Sequence, residues 1–220
     1  PSAHYRVYLL DDLGSTSYQG DGTSGVYIYG AQVEQQSYPT SYIPTDGATA
    51  TRNQETCVDA TPTINSEEGV LYAEISALAD DETGRSISIN DGTNENTIRL
   101  QYRTGVSNTI RGQIRAANTI EASIGYVTDI KDYHKVAISY KLNEVKLFVD
   151  GVLRINDTSA AMPVGLNELS FFQGTSGNKF FGNTKGLQVF DKALADVQLE
   201  ALTSFSSFTE MANALNYTII

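Results

Sequence analysis

The feature that most constrains the fold is a long series of short segments in which apolar and polar residues alternate. From residue 69 onward, turn-forming residues separate each of these segments from the next. Because successive side chains of a strand point to opposite faces of a sheet, this period of two predicts strands with one buried face. The predicted strands are 70–77, 85–89, 97–103, 109–115, 122–127, 134–141, 145–149, 153–155, 168–173 and 186–190.

The turns between these segments favour antiparallel neighbours. The dipeptide Asp150-Gly151 tolerates the positive φ of a tight turn and predicts a hairpin. A meander of this kind buries its apolar faces only by folding into two packed sheets. We therefore predict an all-β fold, a two-sheet antiparallel jelly-roll sandwich. Short C-terminal helices at 196–202, capped by Asp196, and at 207–215 would cover one end of the sandwich.

Charge and composition exclude several classes of partner. The formal net charge is -11, which opposes binding to polyanionic nucleic acid. No apolar run approaches the length of a membrane span, so we expect no membrane insertion. Cys57 is the only cysteine, which excludes an internal disulfide. These properties are typical of an extracellular, cell-surface or virion protein.

Two neighbouring predicted strands, 97–103 and 109–115, carry half of the arginines on one shared face. A turn near Gly105 would align them. We call the following residues the arginine–glutamine lattice: Arg99, Gln101, Arg103, Arg111, Gln113 and Arg115. Since guanidinium groups bind carboxylate and sulfate in a bidentate manner and glutamine binds hydroxyls, the lattice predicts binding of an acidic polysaccharide. The alternative is a solvated sheet face that pairs with Glu74, Glu95 or Glu121.

Aromatic side chains would add a stacking surface for sugar rings. The sequence has 13 tyrosines and no tryptophan, so such a surface would use Tyr or Phe. Tyr102, Tyr126 and Phe181 are the candidates. The alternative for each is a strand residue at the boundary of the core.

Two stretches resemble the laminin-G-like jelly rolls of the concanavalin A-like lectin/glucanase superfamily. The first is KVAISYK at 135–141 followed by VKLFVDGVL at 145–153, which is similar to a characteristic strand pair of these domains. The second, at 182–202, resembles their terminal strand and short helix. The resemblance covers about residues 69–204 and implies the fold above. It leaves the function open, because this fold hosts lectins, adhesins, glucanases and lyases.

The N-terminal region carries a second resemblance. GDGTSGVYIYGAQVE at 20–34 and SYPTSYIPT at 37–45 are similar to a segment of bacteriophage tail and marine bacterial surface proteins that closes a carbohydrate-binding-module-like jelly roll. Residues 1–44, with strand candidates at 5–10 and 26–33, would then be partial strands of an upstream carbohydrate-binding-like jelly roll. Residues 45–55 would be a linker, and 56–220 a laminin-G-like domain with a C-terminal helical tail.

The resemblance also makes calcium a candidate cofactor. Loops 80–82 and 90–94 contain the carboxylate and amide oxygens that calcium prefers, although neither has the spacing of a dedicated calcium loop. Turn formation explains these residues equally well. The sequence requires no cofactor.

Catalytic signatures are weak. Glu74 lacks a second carboxylate on its strand face, which jelly-roll glucanases need. His134 and Tyr140, with the arginines, imitate the set of a jelly-roll polysaccharide lyase but lack its Gln-x-His pattern. We therefore expect a non-catalytic carbohydrate-binding or adhesion (receptor-binding) module, not an enzyme, with a polysaccharide or cell-surface glycan as partner. The alternatives are a structural or oligomerising domain of a phage tail fibre, forming a homo-oligomer, and the lyase.

Overall fold

The computed structural model describes residues 6–11, 13–17, 19–23, 25–34, 41–51 and 62–204. They divide into two compact units. The described residues up to 51 form the first unit, and residues 62–204 belong to the second.

All ten predicted strands form in the second unit. The largest differences from the prediction are that the fifth strand begins three residues earlier, the ninth ends three residues earlier, and the tenth begins four residues earlier, where it pairs with the first strand. The strands are β1 (Glu68–Ala77), β2 (Arg85–Asn90), β3 (Thr97–Tyr102), β4 (Thr109–Ala116), β5 (Thr119–Val127), β6 (His134–Lys141), β7 (Glu144–Val149), β8 (Val152–Asp157), β9 (Glu168–Ser170) and β10 (Gly182–Phe190).

The strands assemble into two five-stranded antiparallel sheets. The first sheet has the order β10-β1-β6-β7-β8, and the second has the order β5-β4-β3-β2-β9. Asp150 and Gly151, with φ angles of 52° and 74°, form the turn between β7 and β8. The predicted hairpin and the predicted two-sheet sandwich are therefore confirmed.

The core consists of the alternate side chains of both sheets. Ile98 and Leu100 of β3 are buried in one cluster with Leu71, Ile138 and Leu147 of the first sheet. Full burial of each such side chain stabilises the fold by about 1.5–3 kcal/mol. Since neighbouring residues on a strand point the opposite way, this burial also decides which residues face outward.

One helix, α1 (Asp196–Thr203), follows the last strand and packs on the outer face of the first sheet rather than at one end of the sandwich. Leu199 of α1 joins a second cluster with Val70, Ala137 and Phe148. Asp196 was predicted as the cap, but Ala195 holds that position. Asp196 is already helical, and its Oδ1 accepts a hydrogen bond from Lys146 Nζ at 2.6 Å.

The predicted helix at 207–215 lies outside the described residues. Among those that are described, no helix has the length and apolar character required to cross a membrane.

The first unit contradicts two predicted strands. Its described residues, including 6–10 and 26–33, form neither helix nor strand. Tyr27 and Tyr29 are exposed, although the Tyr29 ring lies 5.5 Å from that of Tyr42. The alternating pattern produces a strand only where a partner strand supplies hydrogen bonds and an apolar face, and the described residues of this unit supply none. The assignment of residues 1–44 to an upstream jelly roll stays a prediction.

A histidine at the start of β6 connects this strand to the turn between β7 and β8. His134 Nδ1 lies 2.6 Å from Oδ2 of Asp150, and His134 Nε2 lies 2.9 Å from the carbonyl oxygen of Asp129. The other carboxylate oxygen of Asp150 accepts a hydrogen bond from the backbone N–H of Lys135. Burial lowers the pKa of His134, but the hydrogen bond and the charge of Asp150 outweigh burial and raise this pKa above its usual value.

We expect protonated His134 to stabilise the fold. Because its pKa is higher in the folded than in the unfolded chain, this contribution is complete below about pH 6.5 and is lost as the pH rises through the folded-state pKa. Urea titrations from about pH 5.5 to about pH 8.5 should therefore show the free energy of unfolding falling with pH, and His134→Gln should flatten this dependence. The same slope in both proteins would assign it to other groups.

Candidate functional site

The β3–β4 hairpin brings most of the arginine–glutamine lattice together on the outer face of the second sheet. Arg99 lies opposite Gln113, and Gln101 lies opposite Arg111. Ile98 and Leu100 between them face the core, so the lattice side chains point away from it. Gly105, with a φ of 69°, supplies the turn that the sequence predicted.

Three further strands, β2, β9 and β5, extend this polar face. A continuous row crosses all five strands of the second sheet through Ser170, Ser88, Arg99, Gln113 and Ser123. The neighbouring rows add Ser86 and Asn90 from β2. The signal was present in the sequence, because Ser86, Ser88 and Asn90 alternate with Ile87 and Ile89.

The centre of the lattice is buried and its margin is accessible. Arg99, Gln101 and Gln113 are 4%, 3% and 1% exposed. Arg111 and Arg115 are half-buried, whereas Arg103 is exposed and follows the last residue of β3. An incoming ligand would therefore meet Arg103, Arg111 and Arg115 before it reached Arg99.

Each guanidinium of the central lattice is held by a neutral acceptor. Arg99 Nη2 donates to Oε1 of Gln113. With its amide oriented so that the oxygen faces Arg111, Gln101 accepts from Nε and Nη2 of that arginine. Arg115 Nη2 donates to the backbone and side-chain oxygens of Asn118, at 2.9 and 2.6 Å. Among the described residues, nothing accepts a hydrogen bond from Nε or Nη1 of Arg99.

In the described part of the chain, no carboxylate forms an ion pair with Arg99, Arg111 or Arg115. Burial, with the nearby charges of Arg111 and Arg115, lowers the pKa of Arg99 to about 10. Burial and Arg103 also lower the pKa of Arg111. The lattice is thus an uncompensated positive site in an acidic chain.

The three carboxylates proposed as partners in the alternative interpretation point elsewhere. Glu74 Oε1 lies 3.7 Å from Lys185 Nζ on the first sheet. Glu121 Oε2 accepts a hydrogen bond from the backbone N–H of Ala161 at 3.3 Å. Glu95 forms no ion pair with a lattice arginine among the described residues. Carboxylate pairing therefore does not explain the arginines.

Two of the three candidate aromatic residues do not share the lattice face. Tyr102 is 1% exposed in the core, where its ring lies 5.8 Å from that of Phe180. Tyr126 packs against the core, opposite Ile110, and the Arg154 guanidinium lies 4.1 Å from the centre of its ring. Each of these tyrosines is one position away from an outward-facing residue, so its ring turns toward the core. The burial of Tyr102 contradicts its predicted stacking role, whereas the role of half-buried Tyr126 stays a prediction. Phe181 is exposed, between β9 and β10.

The residues proposed for a lyase do not assemble with the lattice. His134 and Tyr140 both lie on β6 of the first sheet. The Tyr140 ring is buried in the core, and its hydroxyl donates a hydrogen bond to the Asn65 carbonyl oxygen at 2.8 Å. The lattice occupies the opposite, outward face of the second sheet.

Several oxygens of the candidate calcium loops accept hydrogen bonds within the fold, whereas Asp80 Oδ1 and Asn94 Oδ1 have no hydrogen-bond partner among the described residues. Asp81 Oδ1 lies 2.7 Å from Nη2 of Arg85, and Asp80 Oδ2 accepts from the backbone N–H of Asn108. Asp91 accepts hydrogen bonds from Thr93 and Asn96. In the part of the chain that the structure describes, no three His, Cys, Asp or Glu side chains converge on a common point that would hold a metal ion.

Comparison with known proteins identifies the fold. No protein-family model and no curated protein sequence matches the chain. The solved CBM40 of the Ruminococcus gnavus IT-sialidase is 18% identical, with a TM-score of 0.52, over 64% of this chain and 84% of that one. The same module bound to α2,3-sialyllactose gives a TM-score of 0.53.

A leech intramolecular trans-sialidase complexed with 2,7-anhydro-Neu5Ac is 14% identical, with a TM-score of 0.52, over 66% of this chain and 24% of that chain. This chain therefore spans about a quarter of the leech enzyme but most of the bacterial module. At such low identities the likeness establishes the fold alone, a two-sheet β-sandwich of the jelly-roll type.

We expect Arg99→Gln to stabilise the protein. The substitution removes a buried charge that no described carboxylate compensates, while the new amide can still donate toward Gln113. Since an unpaired buried charge is costly, the gain should be about 1–3 kcal/mol, which raises Tm by a few degrees. Differential scanning calorimetry measures this change.

Arg115→Gln is the matched control for that experiment, because it removes the same charge from a half-buried side chain that makes two hydrogen bonds to Asn118. It should leave Tm unchanged or lower it. A lower Tm for Arg99→Gln would show that the Arg99 charge is compensated after all.

Proposed function

We propose that the second unit is a non-catalytic carbohydrate-binding module whose ligand is an acidic glycan bound on the outer face of the second sheet. The observation that carries the proposal is the cluster of buried Arg99 with half-buried Arg111 and Arg115, for which the described residues provide no carboxylate partner. Removing charged groups from water costs free energy that only a counter-charge offsets. A carboxylate or sulfate group of a sugar would supply that counter-charge.

The accessible arginines suit the first contacts of such a ligand. Arg111 and Arg115 are half-buried, and Arg103 at the margin is exposed. Guanidinium groups bind carboxylate and sulfate with two parallel hydrogen bonds, which gives selectivity for an anion as well as affinity. The fold supports the same conclusion, because the R. gnavus CBM40 has been solved with α2,3- and with α2,6-sialyllactose bound. Sialyllactose is itself a carboxylate-bearing glycan.

We further propose that the chain belongs to the laminin-G-like branch of the concanavalin A-like superfamily and acts outside the cell, at a cell surface or on a virion. The support is that the β6–β7 hairpin and the β10–α1 pair form at the positions where the sequence resembles these domains. Adhesion to a cell-surface glycan is the corresponding biological role. The division of the chain at residues 44 and 55 remains part of this proposal.

Affinity gel electrophoresis against acidic and neutral polysaccharides tests the proposed function. Alginate, pectin or carrageenan should retard the wild-type protein, whereas a neutral glucan should not. Arg111→Gln should weaken binding about tenfold or more, because a charge-assisted hydrogen bond contributes about 1.5–3 kcal/mol. Lys131→Gln, an equal charge change at an exposed salt bridge with Asp129, should bind like the wild type.

Two additional measurements separate the alternatives. A chelator should leave retardation unchanged if calcium takes no part in binding. Release of unsaturated product, detected by its absorbance, would favour the lyase. The proposed function would be wrong if no acidic glycan retarded the wild-type protein.

A further inference from the structure

The two glutamines at the centre of the lattice are almost fully buried, and each lies directly across the β3–β4 pair from the arginine that it holds. Gln113 accepts from Arg99 across the β3–β4 pair, and Gln101 accepts from Arg111 one position along the same pair. Each strand thus contributes one arginine and one glutamine in alternation. The glutamine side chains are almost fully covered, so a sugar hydroxyl cannot reach them directly.

We propose that Gln101 and Gln113 are positioning residues that fix the charge selectivity of the glycan site, because each holds an arginine in place without neutralising it. This inference rests on the proposed function. It also replaces the role that the sequence suggested for these residues, which was direct recognition of hydroxyl groups. The neutral amide orients the guanidinium and leaves its full charge to the ligand.

The choice of an amide at both positions runs against the composition of the chain. The sequence has 26 acidic and 15 basic residues, and oppositely charged residues directly across an antiparallel pair stabilise a sheet. Glutamate has nearly the same shape as glutamine and would form a bidentate ion pair with arginine. At either position it would cancel one positive charge of the lattice.

Arg85 shows that the same fold neutralises a buried arginine elsewhere. Arg85 begins β2 on the core side of the second sheet and is fully buried. Its Nη2 lies 2.7 Å from Oδ1 of Asp81. Arg85 is thus a buried arginine paired with a carboxylate, whereas the described residues around Arg99 hold it only through the amide of Gln113.

Gln113→Glu tests this inference, with glucuronate and 3′-sialyllactose as anionic probes and glucose and lactose as their neutral counterparts. Without ligand, the variant should keep or raise Tm, because the new carboxylate pairs with Arg99. Isothermal titration calorimetry should show binding of the anionic probes weakened about tenfold or more, since the site loses one positive charge. Gln101→Glu should behave in the same way through Arg111.

Ser123→Glu is the matched control, because it adds the same charge to the same row of the sheet at an exposed position that pairs with no arginine. It should weaken anion binding much less than Gln113→Glu. Equal weakening would mean that net charge alone is responsible and would overturn the inference.

The remaining outcomes are distinct. If the wild type binds neither anionic probe nor any acidic glycan, the proposed function fails. If the wild type binds and both glutamate variants bind equally well, the proposed function stands and the role of the glutamines is wrong. Loss of folding in both variants would also overturn the inference, which requires the new ion pairs to be tolerated.

Discussion

Burial of one face of each sheet against the other is the interaction on which the rest of the structure depends. The side chains of a strand alternate, so the apolar residues that enter the core determine which residues face outward. In β3, burial of Ile98 and Leu100 directs Arg99 and Gln101 away from the core. The position of the candidate site is therefore a consequence of core packing.

The outer faces of the two sheets differ in polarity. On the first sheet, Val70, Ala137 and Phe148 are apolar and are covered by Leu199 of α1. On the second sheet, the row from Ser170 to Ser123 is polar throughout. Much of this polar face is nevertheless covered within the chain, because Ser86, Ser88 and Asn90 are fully buried and Ser88 Oγ donates a hydrogen bond to the carbonyl oxygen of Phe172 at 2.6 Å. The part of the second sheet suited to a polar ligand is therefore its accessible margin, with Arg103, Arg111 and Arg115.

The same alternation of apolar and polar residues explains which parts of the structure the sequence predicted. It located every strand of the second unit and the shared face of Arg99 and Gln113, because periodicity determines the faces of a strand. The alternation failed to predict the structure where strand formation depends on a partner strand. Residues 26–33 alternate as a strand does, yet no described strand pairs with them. Tyr102 was misjudged by residue type, although its parity with Leu100 already directed it inward.

The sequence also did not predict how deeply the lattice side chains are buried or which groups they contact. Arg99 lies between Ser88 of β2 and Gln113 of β4, and this strand order is a property of the tertiary fold. The sequence equally gave no reason to expect that glutamine, and not a carboxylate, would hold each arginine. Because Arg99 is buried and amides hold the arginines, the described residues leave the positive charge of this polar sheet face uncompensated.

The central arginines place stability and binding in opposition. A guanidinium that is removed from water without a counter-charge destabilises the folded chain. The missing counter-charge also strengthens the attraction of the guanidinium to an anion, because the anion displaces no internal partner. Arg85 avoids this cost through Asp81, so the fold is able to pair a buried arginine when pairing serves stability. Among the described residues, amides hold Arg99 and Arg111, and under the proposed function this local instability is retained for binding, in the way that functional sites elsewhere depart from optimal packing and pairing.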